Sequence, residues 1–355
     1  MELFPSHITI NGQKTNITDL LKTREFSTTW EKEWLDFLAA WYNELDFIEV
    51  QTSGSTGAPK NIQLKKEFVA ASALRTIHFF NLKEGDKILH CLPSRFIAGK
   101  LMVVRALIGK LDLVPVDPSS DFKILTSDVQ FKFAAMVINQ VTKCLELEYW
   151  NLEFLLLGGS SVPVSLEEKL QERKTKCYSS YAMTETATHI ALRQLNDDKK
   201  SDTYLCLEGI TVSLNEEGCL RIEMPGLKDG FVQTNDLAKL INKKNFKILG
   251  RADNVIISGG MKFSPERIEE KLEKYIHTPF LISSLPDKRL GEKLILVIES
   301  AEDRELIDQI NGFAERHLSK YERPKKILFT DILPKTENNK PDREKLRKIL
   351  NKAED

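Results

Sequence analysis

Between residues 47 and 200 the chain alternates short apolar runs with longer stretches of helical periodicity, and this alternation constrains the fold more than anything else in the sequence. The runs at 47–50, 87–91, 134–138 and 154–157 are strand-length, and the stretches at 66–80, 103–108 and 165–172 read as helices. Strands that alternate with helices make an α/β core. Ser165, with Glu168 three residues on, is expected to cap its helix. Upstream, Trp30, Trp34, Phe37, Leu38 and Trp41 recur at spacings of three and four, marking a helix over 29–42. Such an aromatic stripe reads as core, not as a cofactor platform.

From about residue 205 the texture changes. Short alternating strands are expected at 210–214, 219–224, 239–242 and 246–249, separated by Asn- and Gly-containing turns. A helix opened by Ser264 as N-cap and Pro265 in its first turn runs to about residue 275. A strand at 294–299, a helix at 301–318 and a turn-rich stretch at 333–343 precede a basic terminal helix. The boundary is placed at 250–253, giving a large α/β domain over 1–250 and a small, mobile α+β domain over 251–355.

Composition excludes several classes of function. Lys and Arg number 51 against 52 Asp and Glu, so no basic field exists to hold a nucleic acid or an anionic membrane. No apolar run approaches the ~20 residues of a spanning helix. The N-terminus has no basic segment followed by an apolar one, so no secretory signal is expected. Cys91, Cys144, Cys177, Cys206 and Cys219 are odd in number, scattered and without a C-x-x-C pair, which reads as reduced thiols in a cytoplasmic enzyme.

The segment Thr52-Ser53-Gly54-Ser55-Thr56-Gly57-Ala58-Pro59-Lys60 packs hydroxyls and glycines between a strand and a helix. Glycines let backbone N–H groups converge, and hydroxyls add donors that can wrap a polyphosphate. It does not match G-x-x-x-x-G-K-[ST], so a P-loop NTPase is the wrong reading. Taken alone, it reads better as a Ser/Gly surface turn.

Five further segments stand in order behind it: Gly158-Gly159-Ser160-Ser161, Tyr181-Ala182-Met183-Thr184-Glu185, Thr234-Asn235-Asp236, Gly250-Arg251-Ala252-Asp253 with Gly259-Gly260, and Leu333-Pro334-Lys335-Thr336 through Lys340 to Arg343. Together with residues 52–60 the set resembles the signature motifs of the adenylate-forming acyl-CoA ligase superfamily. Ala182, Asn235 and Asn339 stand where the family pattern has glycine. Asn tolerates positive φ better than other residues, so the two Gly-to-Asn positions are expected to keep a left-handed backbone.

The resemblance implies that a carboxylate and ATP form an acyl-adenylate, which then passes to the thiol of coenzyme A. It implies that Thr52, Ser53, Gly54, Ser55, Thr56, Gly57 and Lys60 hold phosphates, and that Gly159, Ser160 and Tyr181 lie on the adenine side. Thr184 would contact the α-phosphate, Glu185 with Thr56 would ligate Mg2+, and Asp236 with Arg251 would hold the ribose. Lys340 would bridge the carboxylate and the α-phosphate. Asp253 would be the hinge, and Gly259 and Gly260 would line the pantetheine channel.

The chain is similar in compactness to the o-succinylbenzoate-activating members, which act in menaquinone biosynthesis. Another aryl- or short-acyl-CoA ligase, or an enzyme loading a carrier protein, is the alternative. The phosphate loop begins at residue 52, earlier than the family's usual length implies, so the large domain is expected to be truncated. A homo-oligomer could supply the missing surface. Phe96 stands where many relatives have histidine, while Arg95, Lys100 and Arg105 place cations near the expected acyl pocket. A second carboxylate on the acid needs such a cation. His189 is a further pocket candidate, and His78 and His90 read as structural.

Overall fold

The computed structural model describes residues 2–22, 26, 28–51, 61–336 and 341–354. The chain divides into two units: Met1–Val162, Leu166–Thr211 and Glu223–Val232 form one, and Pro163–Ser165, Val212–Ile222 and Gln233–Asp355 form the other.

The first unit opens with the hairpin β1 (His7–Ile10) and β2 (Gln13–Asn16), then helices α1 (Ile17–Lys22) and α2 (Thr29–Trp41). A capping box starts α2: Thr28 Oγ1 accepts from the Glu31 N–H, and Glu31 accepts from the Thr28 N–H at 3.0 Å. Trp34, Phe37, Leu38 and Trp41 are buried on it, so the aromatic stripe is core. A second hairpin, β3 (Phe47–Gln51) and β4 (Asn61–Lys65), leads into and out of residues 52–60 and ends on the pair Gln51 and Asn61. Next come α3 (Lys66–Phe79), β5 (Lys87–His90), α4 (Ile97–Gly109), β6 (Asp112–Pro115), β7 (Phe131–Val137) and α5 (Ile138–Cys144). They are followed by β8 (Leu152–Gly158), α6 (Val164–Leu170), β9 (Lys176–Met183), β10 (Thr188–Gln194) and β11 (Tyr204–Cys206).

Within this unit the sheet runs β11-β10-β9-β8-β7-β5-β6-β1-β2, and every pair from β9 across to β1 is parallel. Parallel strands covered on both faces need apolar side chains throughout, which is why β7 and β8 read as continuous apolar runs. One face packs Leu89, Met136, Leu155 and Leu157 against Val141, Leu166 and Leu170. On the other face the Phe80 ring, just after α3, lies 5.0 Å from Phe133 and 5.2 Å from both Phe154 and Tyr178, centroid to centroid.

The α4 helix begins at Ile97, six residues earlier than its periodicity alone marks, and is pressed onto the strand exit. A Cβ at Gly99 would stand 2.3 Å from the Pro93 carbonyl oxygen and 2.7 Å from that of Leu92. Backbone atoms cannot yield as a side-chain tip does. Gly99→Ala is therefore expected to destabilise the chain by about 3 kcal/mol, the upper range for overpacking, read as a lowered denaturation midpoint. An unchanged midpoint would contradict this packing.

The second unit contains β12 (Thr211–Leu214), β13 (Cys219–Glu223), β14 (Phe231–Asn242) and β15 (Asn245–Arg251), paired in that order. Then come β16 (Ile256–Ser258), β17 (Met261–Phe263), α7 (Pro265–Leu272), β18 (Phe280–Asp287), β19 (Gly291–Glu299), α8 (Arg304–His317), β20 (Lys326–Thr330) and α9 (Arg343–Glu354). Its second sheet is ordered β17-β16-β19-β18, with β20 parallel to β19. On one face Ile268, Leu272, Ile310 and Phe313 pack on Leu294, Leu296 and Ile298. On the other, Leu346 and Leu350 of α9 pack on Leu281, Ile295 and Val297.

Three local expectations are corrected. The α6 helix starts at Val164, so Ser165 lies inside its first turn and is not its cap. At α7, Ser264 occupies the cap position, but its hydroxyl turns away to the Leu249 carbonyl and to Glu266, each at 2.9 Å. Asn235 is extended within β14 and has no positive φ, because the strand ladder dictates its backbone. Asn339 lies outside the described residues.

Candidate active site

In the first unit β6 lies on one side of β5 and β7 on the other, so the order of connection reverses at β5. Ligands of open α/β sheets bind at such a switch point, outside the carboxyl ends of the strands. The segments leaving β5, β7, β8 and β9 all emerge at that edge because the four strands are parallel. Gln140 clamps the reversal: its Nε2 donates to the carbonyls of Cys91 at 2.7 Å and Pro118 at 2.9 Å, while its Oε1 accepts from the Val137 N–H at 3.1 Å. Sequence reading missed this residue, since its partners are remote along the chain.

At the end of β8, Gly159 has φ +97°, which a side chain would strain, and Ser160 is exposed beside it. A Cβ at Gly158 would meet Ser180 Oγ at 3.1 Å, and that hydroxyl donates to the Leu157 carbonyl at 2.9 Å. The result is a bare backbone turn open to close approach. On β9, Tyr181 is half-buried with its ring edge-on to Tyr204.

Thr184 and Glu185 sit in the tight turn joining β9 to β10, closed by the pair Met183 and Thr188. Ala187 completes the turn at φ +60°, its N–H donating to the Thr184 carbonyl at 3.0 Å. The buried Thr186 hydroxyl lies 3.0 Å from the Met183 carbonyl and 2.7 Å from that of Thr188, locking the turn from beneath. Thr186, which directly follows the Thr-Glu pair in the same motif, was given no role by the sequence reading. The exposed Glu185 carboxylate is a hard oxygen donor at the strand edge. Mg2+ prefers one or two carboxylates completed by water and phosphate, so the chemistry of this donor fits it. Among the described residues no group of three His, Cys, Asp or Glu side chains converges on a metal position.

The three expected acyl-pocket cations differ sharply. Arg95 is exposed, bonds Glu33 at 2.6 Å and stacks on Phe96 at 4.9 Å. Phe96, also exposed, holds the N-cap position of α4. Lys100 lies 5.0 Å from the Phe37 ring centre; burial lowers its pKa, and the Glu33 charge opposes that. Arg105 is only 1% exposed, and among the described residues no carboxylate pairs with it. Its Nη1 reaches the Met102 sulfur at 3.3 Å, its Nε has no hydrogen bond, and the guanidinium lies 5.7 Å from the Phe133 ring centre. Burial pushes its pKa down to about 9, which still leaves it charged at neutral pH. His189 is buried, with Nε2 3.1 Å from Thr76 Oγ1. Burial, and then the Arg105 charge, drive its pKa well below the ordinary value, so it is a neutral imidazole. His90 is likewise buried and lowered to about 4 by burial, with Nε2 3.1 Å from Ser94 Oγ.

In the second unit, Asp236 on β14 stands opposite Arg251 on β15, at 3.3 Å from Nη1. The Asp236 N–H donates to Thr234 Oγ1, whose proton goes to the Leu220 carbonyl at 2.8 Å. Arg251 also grips Asp253 with Nε at 2.9 Å and Nη2 at 2.6 Å. That grip, aided by the Asn235 side chain, lowers the Asp253 carboxyl pKa. Gly259 and Gly260, at φ +58° and +79°, form the two-residue turn between β16 and β17. Thr52, Ser53, Gly54, Ser55, Thr56, Gly57, Lys60 and Lys340 lie outside the described residues.

All five cysteines are buried and none forms a disulfide, and no helix among the described residues is long and apolar enough to cross a membrane. The profile of the AMP-binding enzyme family matches residues 50–214. The chain is 34% identical to the acyl-CoA synthetase (AMP-forming)/AMP-acid ligase II-like protein from Dyadobacter fermentans DSM 18053, covering 94% of this chain and 98% of that one with a TM-score of 0.61. The chain thus belongs to the AMP-binding enzymes, the family of adenylate-forming acid–CoA ligases. It is 26% identical over 339 residues to the 2-succinylbenzoate–CoA ligase of Bacillus cereus (strain ZK / E33L), covering 85% of this chain and 69% of that protein. The fold is shared with O-succinylbenzoate coenzyme A synthetase from Bacillus subtilis in complex with ATP and magnesium ion, at 24% identity and a TM-score of 0.72, over 84% of this chain and 69% of that one.

Proposed function

We propose that the chain joins o-succinylbenzoate to coenzyme A through an acyl-adenylate, with release of pyrophosphate and then AMP. The observation that carries the choice of acid is Arg105. An isolated charge held away from water is costly unless a partner arrives. A guanidinium pairs two-toothed with a carboxylate, and Met102, its present soft partner, is flexible enough to move aside. A dicarboxylic acid supplies the missing partner: one carboxylate reacts while the other binds Arg105. Neutral His189, held by Thr76, offers a second polar contact beside it. The relatives named as 2-succinylbenzoate–CoA ligases support the same acid.

The first step drives an anionic carboxylate onto an anionic phosphate, so it needs cations and donors aimed at the developing charge. In this reading Ser53 to Thr56 and Lys60 hold the outer phosphates, Thr184 meets the α-phosphate, and Lys340 bridges it to the carboxylate. Glu185 and Thr56 hold Mg2+, which neutralises phosphate charge when bound. Gly159, Ser160 and Tyr181 accommodate the adenine, and Asp236, with Arg251 behind it, accepts from the ribose hydroxyls. The second step requires residues 251–355 to turn about Asp253, withdrawing Lys340 and bringing Gly259-Gly260 along the pantetheine arm.

The first test is AMP release from ATP with o-succinylbenzoate, with and without CoA, beside benzoate, acetate and a medium-chain fatty acid. CoA-dependent release with o-succinylbenzoate alone is expected. Release with another acid would keep the mechanism and discard this substrate, and CoA-independent turnover onto a carrier protein would replace the acceptor.

A further inference from the structure

Paired residues of neighbouring strands share a face of the sheet, so the register of β9 and β10 shows what each face carries. Ser179 and Tyr181 stand opposite Arg193 and Ala191, whereas Ala182 stands opposite His189 across a shift in register. The shift is a bulge at Ile190, and it turns His189 to the face opposite the one that holds Ala191. His189 thereby meets Thr76 of α3, while Arg193 meets Glu167 of α6. The bulge sorts the edge into two sides, with Arg105 and His189 on the α3 side and Tyr181 on the α6 side.

On the α6 side, Tyr204 at the start of β11 is held at its hydroxyl, its ring face and its ring edge. The hydroxyl lies 3.2 Å from Ser179 Oγ. The Arg193 guanidinium stands over the ring, 5.8 Å from its centroid. Arg193 is itself fixed by Glu167 and by the Ser201 carbonyl at 3.3 Å, and Lys200 lies 3.8 Å from the same Glu167. The Tyr204 ring then meets that of Tyr181, with centroids 5.9 Å apart and planes at 61°. Strand β10 runs between β9 and β11, and opposite Tyr181 it presents only the methyl group of Ala191. A larger side chain there would separate the two rings.

We infer that Tyr204 is a positioning residue for the nucleotide: it holds the Tyr181 ring in one orientation as a wall of the adenine site. The inference rests on the proposed adenine-side role of Tyr181. A base that stacks on a ring already fixed in place orders nothing further, whereas a free ring must be immobilised at a cost in affinity.

The test is calorimetric binding of ATP, in the presence of Mg2+, to the full chain and to four variants: Tyr204→Leu, Tyr204→Phe, Tyr181→Leu and the Tyr181→Leu/Tyr204→Leu pair. Tyr204→Leu is expected to weaken ATP binding by about 2–10-fold, the range of one aromatic pair. Tyr204→Phe keeps the ring and loses only the hydroxyl bond to Ser179, so it is expected to lose less. In the Tyr181→Leu background the Tyr204 exchange is expected to add nothing, because its effect passes through that ring. A Tyr204 that only supports the fold would weaken ATP binding equally with and without the Tyr181 ring. That additive result would overturn the inference, and so would unchanged affinity in Tyr204→Leu. Should Tyr204→Leu not fold, Tyr204→Phe alone decides, and an ATP affinity equal to the parent's overturns the positioning role. Tyr181→Leu separates the two claims: if it binds ATP as tightly as the parent chain, it is the adenine reading of Tyr181 that fails.

Discussion

Arg105→Met is expected to raise the melting temperature of the unliganded chain and, in the same protein, to lower kcat/KM for o-succinylbenzoate by about 10²–10³-fold. Both halves follow from one feature, a buried guanidinium with no acid beside it. Methionine is unbranched like the stem of arginine, adds no unmet donors and suits the contact with Phe133, and replacing buried charge by packed apolar groups is commonly neutral or stabilising. Removing one partner of a buried, hydrogen-bonded charge pair costs about 2–5 kcal/mol, hence the expected loss in turnover. Activity towards benzoate, which lacks the second carboxylate, is expected to be spared. Arg105→Lys should fall between the two, since a lysine keeps the charge but not the fork. The measurements are calorimetric melting and AMP release. A variant that is destabilised, and equally impaired with both acids, would show that Arg105 is a packing residue.

Lys340→Ala is expected to lose adenylation by about 10²–10³-fold, the usual consequence of removing one group aimed at developing charge. It should retain thioester formation from supplied acyl-adenylate, because the lysine has withdrawn by then. Equal loss of both half-reactions would contradict the assignment. Paired with the Arg105 variants, it divides the proposed site by role. On the proposed assignment, one residue would govern which acid enters, and the other whether that acid is activated at all.

The α/β alternation, the change of texture beyond residue 205 and the ordered motifs were all legible along the chain. Each depends on residues within a few positions of one another, where periodicity and backbone preference act directly. Local reading failed where distant atoms took over a group's hydrogen bonds. Ser264 turns its hydroxyl to the Leu249 carbonyl and Glu266 and accepts from no helix N–H, and Asn235 follows the β14 ladder in place of its own tolerance for positive φ. Gln140 passed unnoticed and Thr186 had no assigned role, because a hydroxyl or amide shows its role only once its carbonyl partners are in place.

The sequence by itself determined the family and the fold class, and it named candidate residues for the chemistry, because motif order and side-chain type are linear properties. It also supplied three candidate cations for the acid, without separating them. Only the tertiary structure set those three apart in burial and pairing. Glu33, 62 residues away along the chain, satisfies Arg95, while α4, β7 and β10 close around Arg105 and provide no carboxylate. Burial and pairing are sums over contacts between remote segments, and no short stretch of sequence contains them.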